Sequence, residues 1–180
     1  LTPPKGTNLD PVLNRAGQLS DVITAFNLTD SAAASMAMSP GAVAHLLNDR
    51  GIETIVQFTC RDRNRMALQA DLLATSALGT SNLLCMAGDR PGVGDHPEAA
   101  AVFDLGTIGL LRAATVLMSG QDLAGNKLDG APSFFVGAVA NPGAQDMGRE
   151  IARAGEKIEA GARFFQTQGI YDISGFERFM

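Results

Sequence analysis

Residues 83–87, Leu-Leu-Cys-Met-Ala, carry no polar side chain on either face of an extended chain. A half-buried strand alternates apolar and polar residues. Five apolar residues in a row fit a strand covered on both sides, as in a parallel sheet. The run opens at Asn82 and breaks at Gly88-Asp89, and a glycine- and proline-rich loop follows before helical periodicity resumes near Asp104. Parallel α/β folds place their chemistry at the carboxyl ends of strands, so Asp89 is a candidate catalytic carboxylate. Aspartate after glycine is also ordinary turn chemistry, and a turn cap is the competing reading of the same residue.

The rest of the chain follows the same alternation. Leu9, Val12, Leu13, Ala16 and Leu19 form an i, i+3, i+4, i+7 stripe that predicts a helix over 8–20, with Pro11 in its first turn. Further helices are predicted over 39–47, 62–78, 104–118 and 144–160, and another begins at Ile173. Between them, β-rich runs predict strands over 22–28, 52–60, 82–89, 133–141 and 163–171. Strand and helix in strict alternation mean βα units and a parallel sheet, either doubly wound or closing into a barrel. The loop over 29–39 has no G-x-G-x-x-G, which weakens a dinucleotide-binding sheet. Several strands instead end in polar or reactive residues (Thr29-Asp30, Thr59-Cys60, Asp89, Asn141, Gln168), the way a barrel assembles a site. The expected fold is therefore an α/β, TIM-type (βα) barrel, incomplete, with residues 1–180 as a single domain.

Composition narrows the function. The net charge is −5, and the 14 Lys and Arg are scattered, which argues against nucleic acid or an anionic membrane as partner. No apolar stretch approaches the roughly 20 residues that span a bilayer. The first residues, Leu-Thr-Pro-Pro-Lys-Gly, do not resemble a signal peptide. Cys60 and Cys85 read as reduced core thiols, hence a cytoplasmic protein. His45 and His96 have no Cys or carboxylate at ligand spacing, so no metal site is expected. Arg61, Asp62 and Arg63 read as the exposed, charged first turn of a helix.

A family resemblance accompanies these readings. PPKG (3–6), TCRDRN (59–64), DLL (71–73), LG (78–79), NLLCMAGD (82–89), GDHPEA (94–99), VFDL (102–105), AGEKIEAGA (154–162) and FFQTQ-x-x-YD (164–172) stand in the order of a methylenetetrahydrofolate reductase. The resemblance runs along all 180 residues, and no one motif carries it. It implies an eight-stranded βα barrel holding FAD, which passes a hydride to methylene-tetrahydrofolate and yields methyl-tetrahydrofolate for methionine biosynthesis. NADH or NADPH would be the electron donor, with an electron-transfer partner subunit as another source and a homo-oligomer as the assembly. It also implies a fragment: a family glutamate would fall just before Leu1, and two βα units beyond Met180.

Site residues follow from the same resemblance. Asp89 would stand beside the flavin's pyrimidine side as the catalytic carboxylate. Thr29 aligns with a threonine that hydrogen-bonds the isoalloxazine, and Lys157 with a lysine near the diphosphate. Ala101, Val102 and Asp104 would approach the flavin, mainly through backbone. Gln168 aligns with a glutamine that contacts the pterin. Gln57, Ala87 and Asn141 stand where the family often has His, Arg and His, so Gln57 and Asn141 are cofactor-site positions with altered chemistry. Two other readings stay open, a folate- or corrinoid-binding barrel in methyl transfer and a non-catalytic accessory subunit.

Overall fold

The order of elements in the computed structural model, which covers residues 1–180, is that of repeated βα units. They are α1 (Asp10–Leu19), β1 (Phe26–Leu28), α2 (Pro40–Asn48), β2 (Thr54–Thr59), α3 (Arg65–Ala77), β3 (Asn82–Met86), α4 (Thr107–Met118), β4 (Phe135–Ala140), α5 (Met147–Glu159), β5 (Phe164–Thr167) and α6 (Ile173–Phe179). All neighbouring strands pair in parallel, and the sheet order is β1-β2-β3-β4-β5. A doubly wound sheet reverses its strand order at a switch point. This one never reverses, which is the order of a barrel wall.

The two faces of the sheet differ because successive side chains on a strand point opposite ways. Phe26 and Leu28, Val56 and Phe58, Leu83 and Cys85, and Val136 and Ala138 all belong to a core of 24 buried residues. They face the helices, which contribute Val43 and Leu47 from α2, Leu68 and Leu72 from α3, and Leu110, Leu111 and Leu117 from α4. The alternate residues line the other face: Asn27, Ile55, Gln57, Thr59, Asn82, Leu84, Met86, Phe135, Gly137, Val139, Phe164 and Gln166.

That second face is concave. Four strand spacings put β1 and β5 about 19 Å apart in a flat sheet, beyond the reach of two amide side chains. Yet Asn27 Nδ2 donates to Gln166 Oε1 at 2.6 Å. The sheet is curled around a lumen, an incomplete TIM-type barrel with its helices outside.

Element ends moved relative to the sequence expectations, each for a local reason. β1 starts at Phe26 and not at 22, and Val22 is 79% exposed. β3 stops at Met86 and leaves Gly88-Asp89 in the following loop. β5 stops at Thr167, although the Gln168 N–H still donates to Ala140 O. α3 starts at Arg65, capped by Asn64 Oδ1, which accepts from the N–H groups of Met66 and Ala67.

The inner face sets tight limits at Gly137. A Cβ there would land inside the Phe164 ring, which stacks on Phe135 at 5.2 Å and 16°. Gly137→Val is expected to displace that ring and destabilise the fold by about 1–3 kcal/mol. Gly155→Ala, at an exposed site in α5 with open space around it, is expected to stabilise by about 0.5–1 kcal/mol. Urea denaturation midpoints of the two variants check both signs.

Candidate functional site

Loops at the carboxyl ends of the strands are bound together by one buried carboxylate. Asp30, just past β1 and 8% exposed, accepts from the N–H and Oγ1 of Thr59, both at 2.9 Å, and from Arg63. The Arg63 guanidinium lies over the Phe58 ring at 5.2 Å. It also donates to Thr59 O at 3.3 Å and Asp71 at 3.2 Å. Arg63 thus ties the ends of β1 and β2 to α3 through two ion pairs.

Arg61 is buried as well. It forms a bidentate pair with Asp62 at 2.8 and 2.7 Å and reaches the carbonyls of Ser31 at 3.3 Å and Asp89 at 3.5 Å. The expectation of an exposed, charged first turn over residues 61–63 is therefore corrected. Arg61 and Arg63 turn inward because buried carboxylate and carbonyl oxygens await them there, and the helix begins only after Asn64.

Next along the sheet, the turn after β3 carries Asp89 over the strand ends. Gly88 has φ +87°, and a Cβ there would meet Thr59 Cβ at 2.9 Å, so only glycine fits both the conformation and the space. The Asp89 carboxylate accepts no hydrogen bond from the chain, and the short turn at Pro91–Val93 has no side-chain cap. Asp89 is exposed, with its carboxylate free of hydrogen bonds and near enough to the buried Arg61 guanidinium to interact with its charge.

On the β4–β5 side, Asn141, Lys157 and Gln168 line one cleft of about 530 Å³, together with Ala87, Glu150, Arg153 and residues 106–109 at the start of α4. Lys157 is the one buried residue of α5. Its ammonium donates to Val139 O at 2.7 Å and lies 3.9 Å from Glu150. Burial pulls its pKa below the ordinary lysine value, Glu150 opposes that shift, and Arg153 adds to it. Glu150 also accepts from the Asn141 N–H at 3.0 Å. A buried cation with donors to spare beside a helix start suits an anionic group.

Gln57 points into the lumen from β2, and Thr29, one residue past the end of β1, continues the inward alternation set by Asn27. Thr29 Oγ1 is buried and has no partner, and the mostly buried Gln57 amide bonds no protein group. These two fit a polar ring edge. Ala101, Val102 and Asp104 are not part of either grouping. The Val102 N–H donates to Arg61 O at 2.8 Å and the Phe103 N–H to Cys60 O at 3.2 Å. Asp104 accepts from the Arg65 backbone and guanidinium, which hold its pKa down to about 2. Its side chain is committed to the start of α3.

Cys60 and Cys85 are fully buried, and burial pushes the Cys60 thiol up to about 11 and that of Cys85 higher still. Neither is a nucleophile at neutral pH. His45 contacts Leu78 O and Asp49, and His96 contacts Asp95. No group of three His, Cys, Asp or Glu side chains could hold a metal ion. No helix is long and apolar enough to cross a membrane.

Asp30, Arg63, Glu150 and the Asn27–Gln166 pair were not legible as site elements from periodicity. The one available signal was charge at strand ends, Asp30 after Thr29 and Arg61 and Arg63 after Thr59, where exposed charge is equally ordinary.

Comparison with known proteins adds three findings. The family model for methylenetetrahydrofolate reductase matches residues 1–180. No curated protein matches the sequence. Among solved structures, an uncharacterized protein from Clostridium thermocellum that binds two copies of 5-methyl-5,6,7,8-tetrahydrofolic acid superposes with a TM-score of 0.65 at 16% identity. The match covers 99% of this chain and 55% of that one, so the chain spans about half of its length.

The Asp30 network makes a direct prediction. Arg63→Met removes the cation and leaves a buried carboxylate with only Thr59 as partner, at an expected cost of about 3–5 kcal/mol. Asp30→Asn combined with Arg63→Met is expected to recover part of that loss, because no buried charge is then left unpaired. A double-mutant cycle by urea denaturation checks it.

Proposed function

This chain belongs to the methylenetetrahydrofolate reductase family, and on that premise we propose that the intact protein is a flavin-dependent reductase that converts methylene-tetrahydrofolate to methyl-tetrahydrofolate. The carrying observation is the Thr29 hydroxyl, buried and unpartnered at the end of β1, on the inner face of the sheet that also carries the unbonded Gln57 amide. A folded chain leaves a buried hydroxyl unsatisfied at a cost unless something else completes it.

Thr29 and Gln57 would hold the ring of the flavin, and Lys157 with Asn141 its charged end. The flavin would supply the hydride when bound. The remaining chemistry belongs to the chain. Asp89 places an exposed carboxylate, free of hydrogen bonds, near the strand ends, which favours a cationic acceptor: the iminium form of the folate. Gln168, lining the cleft with its amide unbonded, can donate and accept at once and so suits a pterin edge. The strand-end loops, cross-tied by Asp30 and Arg63, hold these groups in place before substrate arrives. In the same reading the protein works in the cytoplasm and draws its electrons from NADH, NADPH or a partner subunit.

A folate-binding barrel without flavin is the second reading, supported by Gln57, Ala87 and Asn141 at positions where the family often has ionisable side chains. Flavin absorbance in the purified intact protein separates the two, and colourless protein that still binds folate favours the second.

Two substitutions test the residue roles. Asp89→Asn is expected to keep flavin bound and slow reduction of the folate about a hundredfold, the scale of one lost preorganised electrostatic contact. Single-turnover kinetics would read this, and an unchanged rate would remove Asp89 from the chemistry. Gln168→Leu is expected to weaken folate binding by about 1–3 kcal/mol at unchanged flavin content. Folate titration on the same preparation would read it, and loss of flavin instead would move Gln168 to the cofactor site.

A further inference from the structure

Three buried side-chain polar atoms in the whole chain have no hydrogen-bond partner: Asn27 Oδ1, Thr29 Oγ1 and Arg63 Nε. The last belongs to a guanidinium whose other two nitrogens already bond Asp30, Thr59 and Asp71. The first two stand at successive inward positions on and just after β1, about 6.5–7 Å apart along an extended chain. Two neighbouring shortfalls on one wall of a lumen describe a surface that a ligand completes.

Asn27 is also held in place. Its Nδ2 donates across the lumen to Gln166 Oε1 on β5, the longest-range side-chain hydrogen bond in the chain, 139 residues apart. Turning both amides over keeps that bond and leaves Nδ2 unpaired in place of Oδ1. The pair can therefore meet either a donor or an acceptor at one spot. Phe135 and Phe164, stacked on the same inner face, add a flat apolar surface that suits a planar ring.

We propose that Asn27, held by Gln166, is a specificity-determining residue of the lumen. With Thr29 it reads the lactam edge of a planar nitrogen heterocycle, where a ring N–H stands beside a carbonyl. Flavin and the pterin of folate both carry such an edge. The inference rests on the reductase reading and deepens it by naming a side chain that selects the heterocycle.

The experiment compares wild type, Asn27→Leu and Gln166→Leu in the intact protein. Thermal unfolding is recorded alone, with flavin and with 5-methyltetrahydrofolate, and each ligand is also titrated directly. Without ligand, Asn27→Leu loses both the unsatisfied Oδ1 and the bond to Gln166, so its unfolding temperature is expected to stay near that of wild type. Its affinity for one of the two heterocycles is expected to fall about tenfold or more, and its ligand-induced stabilisation with it. Gln166→Leu, which takes the acceptor from Asn27 Nδ2 and leaves Asn27 free to turn, is expected to lose less in the same direction.

A loss confined to flavin assigns the edge to the cofactor, and a loss confined to 5-methyltetrahydrofolate assigns it to the pterin. Asn27→Leu protein that unfolds below wild type and binds both ligands normally overturns the proposal and leaves the reductase reading standing. Wild type that binds neither ligand overturns both. Should Asn27→Leu fail to fold, unchanged affinity of Gln166→Leu for both ligands overturns the proposal alone.

Discussion

Burial on the outer face of the sheet is the interaction on which the rest depends. Leu47, Leu68, Leu72, Leu110, Leu111 and Leu117 are completely buried against Val56, Leu83 and Val136 of the strands. Each such side chain contributes about 1.5–3 kcal/mol when removed from water. Because that face supplies most of the cohesion, the inner face can carry the polar side chains of Asn27, Thr29, Gln57 and Gln166, with one hydrogen bond between Asn27 and Gln166 across the lumen. α5 marks the changeover. Its buried residue is Lys157, while Ile151 and Ile158 stay exposed, so this helix delivers a cation to the cleft and adds little to the core.

Local conformation is overridden where the site lies. Four non-glycine residues have positive φ: Ser31, Ala33, Ala34 and Phe103. The first three follow β1 directly, and the fourth hydrogen-bonds to Cys60 just past β2. Alanine in that region costs on the order of 1 kcal/mol and persists only when its surroundings over-determine it. Here the backbone of Ala34 is pressed by Gly94, where any side chain would collide with the Ala34 carbonyl. The Arg61 bond to Ser31 O pins the other end of the same loop. Tight packing among loops at one end of the strands, with charge buried beneath it, gives a rigid mouth around a polar lumen.

Charge is used differently at the two sides of that mouth. Around β1 and β2 every charged group is spent internally: Asp30 on Arg63, Asp62 on Arg61 and Asp104 on Arg65. Around β3 to β5, the Asp89 carboxylate accepts no hydrogen bond, and Lys157, although 3.9 Å from Glu150, keeps donors in reserve. A structural ion pair fixes position, whereas an uncommitted charge is available to a ligand, and this difference separates scaffold from candidate chemistry among residues of the same types.

Sequence alone determined the elements and their class. The i, i+3, i+4, i+7 stripe of α1, the two-faced apolar run of β3 and the alternation between them are periodic, local signals, and they specify five parallel strands with helices between. The pleat of a strand puts Leu83 and Cys85 on one face and Leu84 and Met86 on the other, but a run that is apolar on both faces does not say which pair meets helices and which meets the lumen. Tertiary structure decided the curl of the sheet, and with it every contact that joins residues far apart in the chain. Asn27 meets Gln166 across the lumen, Asp30 meets Arg63, and Lys157 reaches Val139. None of these pairs leaves a pattern along the chain, because a side chain's partner depends on where the strands lie in space and not on the spacing of its own neighbours. Arg61 and Arg63 show the consequence: by local chemistry they belong at an exposed helix start, and only the buried oxygens of the neighbouring strand ends turn them inward.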